Sequence, residues 1–118
     1  MVLLHGYGLD RTMWAPQLAA LEGWTVLNLD IRGHGDSRPC ADFSIPQAAE
    51  DLRAVLVKER CRAPVLVGLS MGGYVVQEYA WQFGGCAGYL VAGATPILLD
   101  CYSGWERAGL RASTPLLG

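Results

Sequence analysis

Apolar positions along the chain fall into two alternating rhythms. Short unbroken runs rich in Val and Leu occur at Val2–Leu4, 25–29, Val65–Leu69 and 89–92. Runs of this length read as strands, and a wholly apolar one such as Val65–Leu69 suits a strand covered on both faces of a parallel sheet. Between them lie stretches of helical spacing. Residues 13–21 put Trp14, Leu18 and Leu21 on one face. A second helix is expected from Ser44, with Ser44 and Gln47 set as a capping box, Pro46 tolerated in the first turn, and Ala49, Leu52, Val55 and Leu56 as the buried stripe. It should end before Pro64. A third spans 71–83 and stops at Gly84-Gly85. Ser103 with Glu106 reads as a further capping box opening a last helix to about Leu110.

Strand alternating with helix predicts right-handed βαβ units, hence an α/β domain with a parallel sheet and helices on both faces. The expected spatial order of strands is 25–29, Val2–Leu4, Val65–Leu69, 89–92. At 118 residues, 52% hydrophobic and 17% charged, the chain is a single globular unit without linker or repeat. The net charge of −2 gives no electrostatic case for nucleic acid or an anionic membrane. The longest nearly apolar stretch, 89–99, is well short of the ~20 residues a bilayer requires. Cys40, Cys61, Cys86 and Cys101 form no C-x-x-C pair and have no histidine at metal spacing, so they read as reduced thiols of a cytoplasmic protein.

Three segments carry chemistry. Gly68-Leu69-Ser70-Met71-Gly72 fits G-x-S-x-G between a strand and a helix, the setting that lifts a nucleophilic serine above a sheet. The helix start also aims free amides at that point. The competing reading, a plain Gly-rich turn of a nucleotide-binding protein, lacks the spacing of either phosphate-binding motif. His5-Gly6-Tyr7-Gly8 ends the first strand. An acyl-transfer site needs two donors for its oxyanion, and the amides of Met71 and Tyr7 are the candidates. The third segment, residues 30–37 (Asp30-Ile31-Arg32-Gly33-His34-Gly35-Asp36-Ser37), closes the second strand. His34 there invites a reading as catalytic base, against the plainer one of a loop histidine bracing a turn. Asp30 and Arg32 read as structural.

In order and spacing the three segments resemble the α/β-hydrolase superfamily, in the branch of lactonases, esterases, haloperoxidase-like enzymes and C–C bond hydrolases. The resemblance runs from Val2 to about Pro96 and includes Met13-Trp14-Ala15-Pro16-Gln17-Leu18. It implies Ser70 as nucleophile, Tyr7 and Met71 as oxyanion-hole amides, Tyr7 as a wall of the acyl pocket, and a lid from about Leu98. It also implies a small-molecule ester or lactone as substrate, with no metal or organic cofactor. Acyl transfer, perhydrolysis, C–C hydrolysis, or a non-catalytic binding role are the alternatives on the same fold.

In that family the acid and then the histidine follow the nucleophile. Here no histidine follows Ser70, and the acidic residues that do are Glu78, Asp100 and Glu106. Only four residues precede His5. The expectation is therefore a fold cut at both ends, in which this stretch on its own is nearly inactive. Neither His5 nor His34 is expected to stand in for the base. The family order puts the His34 loop across the Val2–Leu4 strand from Ser70.

Overall fold

The computed structural model describes residues 1–95. The lid from Leu98, Asp100, the Ser103–Glu106 box and the helix to Leu110 lie outside the described residues. Four parallel strands, β1 (Val2–Leu4), β2 (Leu27–Leu29), β3 (Val65–Leu69) and β4 (Gly88–Ala92), stand in the order β2-β1-β3-β4, as the alternation predicts. The register sets Val2 beside Leu27 and Leu66, and Leu4 beside Leu29 and Gly68. Adjacent strands of this sheet therefore turn the same residues to the same face.

That face carries α2 (Ile45–Lys58) and α3 (Met71–Gln82), which also pack against each other. The core joins Val2, Leu4 and Leu66 of the sheet to Ile45, Ala48, Ala49, Leu52 and Leu56 of α2 and Met71, Val75, Val76 and Tyr79 of α3. A fully buried aliphatic of this kind contributes ~1.5–3 kcal/mol relative to exposure. Val55 is only half-buried, bordering an open concavity between β2 and α2. Ser44 caps α2 as expected, its hydroxyl accepting from the Gln47 amide at 3.2 Å. The reciprocal half of the box does not form, since the Gln47 amide group reaches back to Asp42 at 2.7 Å instead.

The stretch expected as a helix over 13–21 is broken. A 3-10 turn (Arg11–Trp14), one α turn, α1 (Ala15–Leu18), and a second 3-10 turn (Ala19–Leu21) follow one another. Pro16 supplies no amide inside this segment, and 3-10 spacing cannot keep an i, i+4 stripe in line. None of its residues is buried. It lies by the opposite face of the sheet, where the Asn28 side chain donates to the Arg11 carbonyl at 3.0 Å. At the other end of the sheet β4 leaves Tyr89 and Leu90 half-exposed. No helix among the described residues is long and apolar enough to cross a membrane.

Candidate active site

The site gathers where β1 and β3 end side by side. Ser70 follows β3 directly and occupies the cap position of α3, with φ 51° and ψ −113°. Few residues with a Cβ adopt such a backbone, which costs ~1–3 kcal/mol and persists only where the surroundings impose it. Two contacts impose it here. The Ser70 amide donates to the Ala92 carbonyl of β4 at 2.8 Å. The next helical turn is pressed onto the sheet: a Cβ on Gly68 would overlap the Gly72 carbonyl, and one on Gly72 would overlap the Leu4 carbonyl.

The consequence for the hydroxyl is visible by comparison with Ser44. Ser44 caps α2 from an extended backbone, φ −148°, and folds its oxygen onto a helix amide. Ser70, in the same position on α3, makes no such bond. Its side chain stays exposed to solvent above the sheet edge.

Beside it runs the loop after β1. A Cβ placed on Gly6 would lie 3.7 Å from that of Ser70, so this loop and the elbow are in contact. Tyr7 comes next, its ring 65% exposed. Met71 is buried at the helix start. Among the described residues neither the Tyr7 nor the Met71 amide has a hydrogen-bond partner. Two unspent donors thus border the Ser70 elbow.

His5 is fully buried at the end of β1. Its Nε2 accepts from the Ile31 amide at 2.9 Å and its Nδ1 lies 2.8 Å from the Gly6 carbonyl. Both ring nitrogens are therefore engaged, and neither serves Ser70. Burial is the main cause holding its pKa below the ordinary 6.5, against the pull of the Gly6 carbonyl. In the sequence this residue reads as part of the turn after the first strand and as an unsuitable base. The overlooked signal was a histidine directly after a wholly apolar strand, which demands a partner for each nitrogen.

His34 braces its turn through Nδ1, 3.1 Å from the Arg32 carbonyl. Its loop follows β2, which stands across β1 from β3 as the family order has it. The loop folds back over the sheet edge, so that the His34 ring lies 5.0 Å from that of His5 and 5.7 Å from that of Tyr7. It packs on the end of β1 and the loop after it.

The same loop is anchored by charge. Asp30 accepts from the amides of Arg11 at 2.7 Å and Asp36 at 2.9 Å, and pairs with the Arg11 guanidinium. Burial alone would raise its pKa, but these donors outweigh it and hold the carboxyl below the ordinary 3.8. Arg32 grips Asp51 of α2 through two bonds of 2.8 and 3.0 Å. Both residues are structural, as the sequence suggested. Two concavities flank the loop. One, of about 460 Å³, is lined by Tyr7, Leu9, His34, Arg38 and Phe43; the other, of about 580 Å³, lies between β2 and α2. Ser70 lines neither of them.

These shifts fix a pH dependence. Both groups bind protons less readily folded than unfolded, so stability rises with pH through each window. Unfolding by urea should show full stability above pH 6.5, a decline below it as unfolded His5 protonates first, and a second decline below 3.8 from Asp30. His5→Asn should remove the upper step and leave the lower one. An upper step that survives would assign it to another group.

A strained serine at a strand-to-helix turn, over a parallel sheet and beside two idle amides, defines a class of nucleophile-elbow folds. The whole chain, residues 1–118, matches the Alpha/beta hydrolase family, and it belongs to that family. It is 35% identical over 101 residues to the 2-succinyl-6-hydroxy-2,4-cyclohexadiene-1-carboxylate synthase of Enterobacter sp. strain 638, covering 85% of this chain and 39% of that one. Among solved structures it superposes on a thermophilic esterase from Thermogutta terrifontis with a TM-score of 0.75 at 34% identity, over 80% of this chain and 36% of that one. The enol-lactonase of Burkholderia xenovorans LB400 superposes with a TM-score of 0.70 at 33% identity, over 75% and 35%. The chain spans between 25% and 40% of the length of the curated relatives it matches.

Proposed function

We propose that the natural protein hydrolyses a carboxylic ester or lactone through an acyl-Ser70 intermediate. The observation that carries the reading is the Ser70 backbone, with its positive φ and its hydroxyl withheld from the helix it caps. Likeness to an esterase and an enol-lactonase supports the substrate class.

A general base takes the Ser70 proton as Oγ attacks the carbonyl carbon. The amides of Tyr7 and Met71 hold the oxygen as it gains charge, before the carbon–oxygen bond to the leaving alcohol breaks. The base returns its proton to that alcohol. Water then attacks the acyl-serine, releasing the acid and restoring the hydroxyl. The Tyr7 ring borders the acyl side.

On this reading the base is expected outside these residues. His5 is fully engaged, and no histidine follows Ser70. The 118-residue chain should therefore hydrolyse p-nitrophenyl acetate only at background, as should its Ser70→Ala and His34→Ala variants. Efficient turnover lost on His34→Ala would make His34 the base after all. In the natural full-length protein a phosphonofluoridate should add to Ser70, mapped by peptide mass spectrometry; labelling at a different residue would sink the assignment. Likeness to a synthase favours one second reading, a non-hydrolytic reaction at the same serine. Product analysis separates the two.

A further inference from the structure

We propose that His5 is a positioning residue of the oxyanion site: by holding the Gly6 carbonyl, it aims the Tyr7 amide toward Ser70. The inference rests on the reading of Ser70 as the acyl-accepting nucleophile.

The tautomer follows from the partners. The Ile31 amide can only donate, so Nε2, 2.9 Å away, must carry a lone pair. The ring proton of the neutral imidazole is then on Nδ1, which donates to the Gly6 oxygen at 2.8 Å. That oxygen also accepts from the Leu9 amide at 3.2 Å. Two donors on one carbonyl fix the plane of the Gly6–Tyr7 peptide.

A trans peptide is planar, so its C=O and N–H point in opposite directions. The cis bond among the described residues is Arg38–Pro39, and Gly6–Tyr7 is trans. With its carbonyl drawn to His5 and Leu9, the Tyr7 N–H is turned away from both. It has no partner of its own among the described residues. Gly6 lies against the elbow: a Cβ built on it would come within ordinary contact of the Ser70 Cβ. A rotation of this one peptide would withdraw the donor without moving β1. His5 thus joins three pieces: the end of β1, the loop after β2 through Ile31, and the donor loop beside Ser70.

The two bonds can be removed one at a time. In His5→Asn the side-chain amide nitrogen takes the place of Nδ1 and still reaches Gly6, while the bond from Ile31 is lost. In His5→Gln the side-chain oxygen takes the place of Nε2 and still accepts from Ile31, while Gly6 is released. Both remove the ring, so loss of packing is matched between them. In the natural full-length protein with p-nitrophenyl acetate, His5→Asn should keep kcat within ~3-fold, and His5→Gln should lose ~10–100-fold in kcat with KM within ~3-fold. Equal kcat in the two variants at similar melting temperature, or a loss confined to KM, would overturn the proposal.

The Tyr7 amide resonance gives the same test without turnover: unchanged in His5→Asn, moved in His5→Gln. Should neither variant fold, ¹⁵N spectra of the wild-type imidazole decide. Protonation at Nδ1 alone is expected at pH 7, and a proton on Nε2 would refute the arrangement. Hydrolysis that survives Ser70→Ala would instead overturn the nucleophile reading. Ser70-dependent hydrolysis with the two His5 variants alike would overturn only the role of His5.

Discussion

Ser70→Ala in the natural full-length protein should lower kcat/KM for ester hydrolysis by ~10⁴-fold or more, because on the proposed reading Ser70 carries the acyl group. The loss should come without a loss of fold. Alanine at φ 51° is as strained as serine, and among the described residues the Ser70 hydroxyl makes no bond to lose. Ser70→Gly separates the two effects further. It removes the same hydroxyl but relieves the backbone, and should raise the unfolding free energy by about 1 kcal/mol. A variant both inactive and more stable than wild type marks a residue kept for chemistry at the expense of stability. An Ala variant that unfolds more readily, or a Gly variant without gain, would contradict the strain argument. Retained turnover would contradict the nucleophile.

Gly72→Ala should be a severely damaging single methyl in the site. The added carbon would overlap the Leu4 carbonyl oxygen and lie 2.7 Å from that of His5. Both are backbone atoms at the end of β1, so no side-chain rotation relieves the overlap. Either α3 lifts from the sheet, or β1 shifts and carries the Gly6–Tyr7 loop with it. Stability measured by urea unfolding should fall by about 3 kcal/mol. Gly23→Ala is the control. Gly23 also has a positive φ, 90°, but nothing lies within 4 Å of its missing Cβ. It should show only the left-handed backbone penalty, about 1–2 kcal/mol. Equal losses at the two positions would mean that the close approach of α3 to β1 is not what requires glycine at 72.

Much of this was legible in the sequence because it is decided locally. A wholly apolar run flanked by Pro64 and a Gly-rich turn leaves little choice but a buried strand, and β3 begins and ends where the run does. Ser44 and the residues after it carry their own start signal, and α2 begins there. The spacing of Gly68, Ser70 and Gly72 encodes a sharp turn, because α3 comes this close to β3 and to β1 only if Gly68 and Gly72, respectively, lack a Cβ. Right-handed crossovers then leave few ways to order four such strands.

Contacts between distant residues decided the rest. Residues 13–21 have helical spacing, yet the stretch 11–21 is broken into three short turns against the sheet, with Asp10 capping the first and Asn28 holding Arg11. Gln47 chose Asp42 over the cap of its own helix. His34 stands 29 positions from His5 in the chain, yet their rings meet, because Arg11 on Asp30 and Arg32 on Asp51 fold that loop back over the sheet. The proton on His5 was the least visible of all. It is fixed by a carbonyl one residue away and an amide 26 residues away, and a pattern along the chain carries the first but not the second. Periodicity and turn chemistry act over a few residues, so they specify strands, caps and the elbow. Hydrogen-bond partners across loops depend on where whole elements come to rest, and only the assembled sheet sets that.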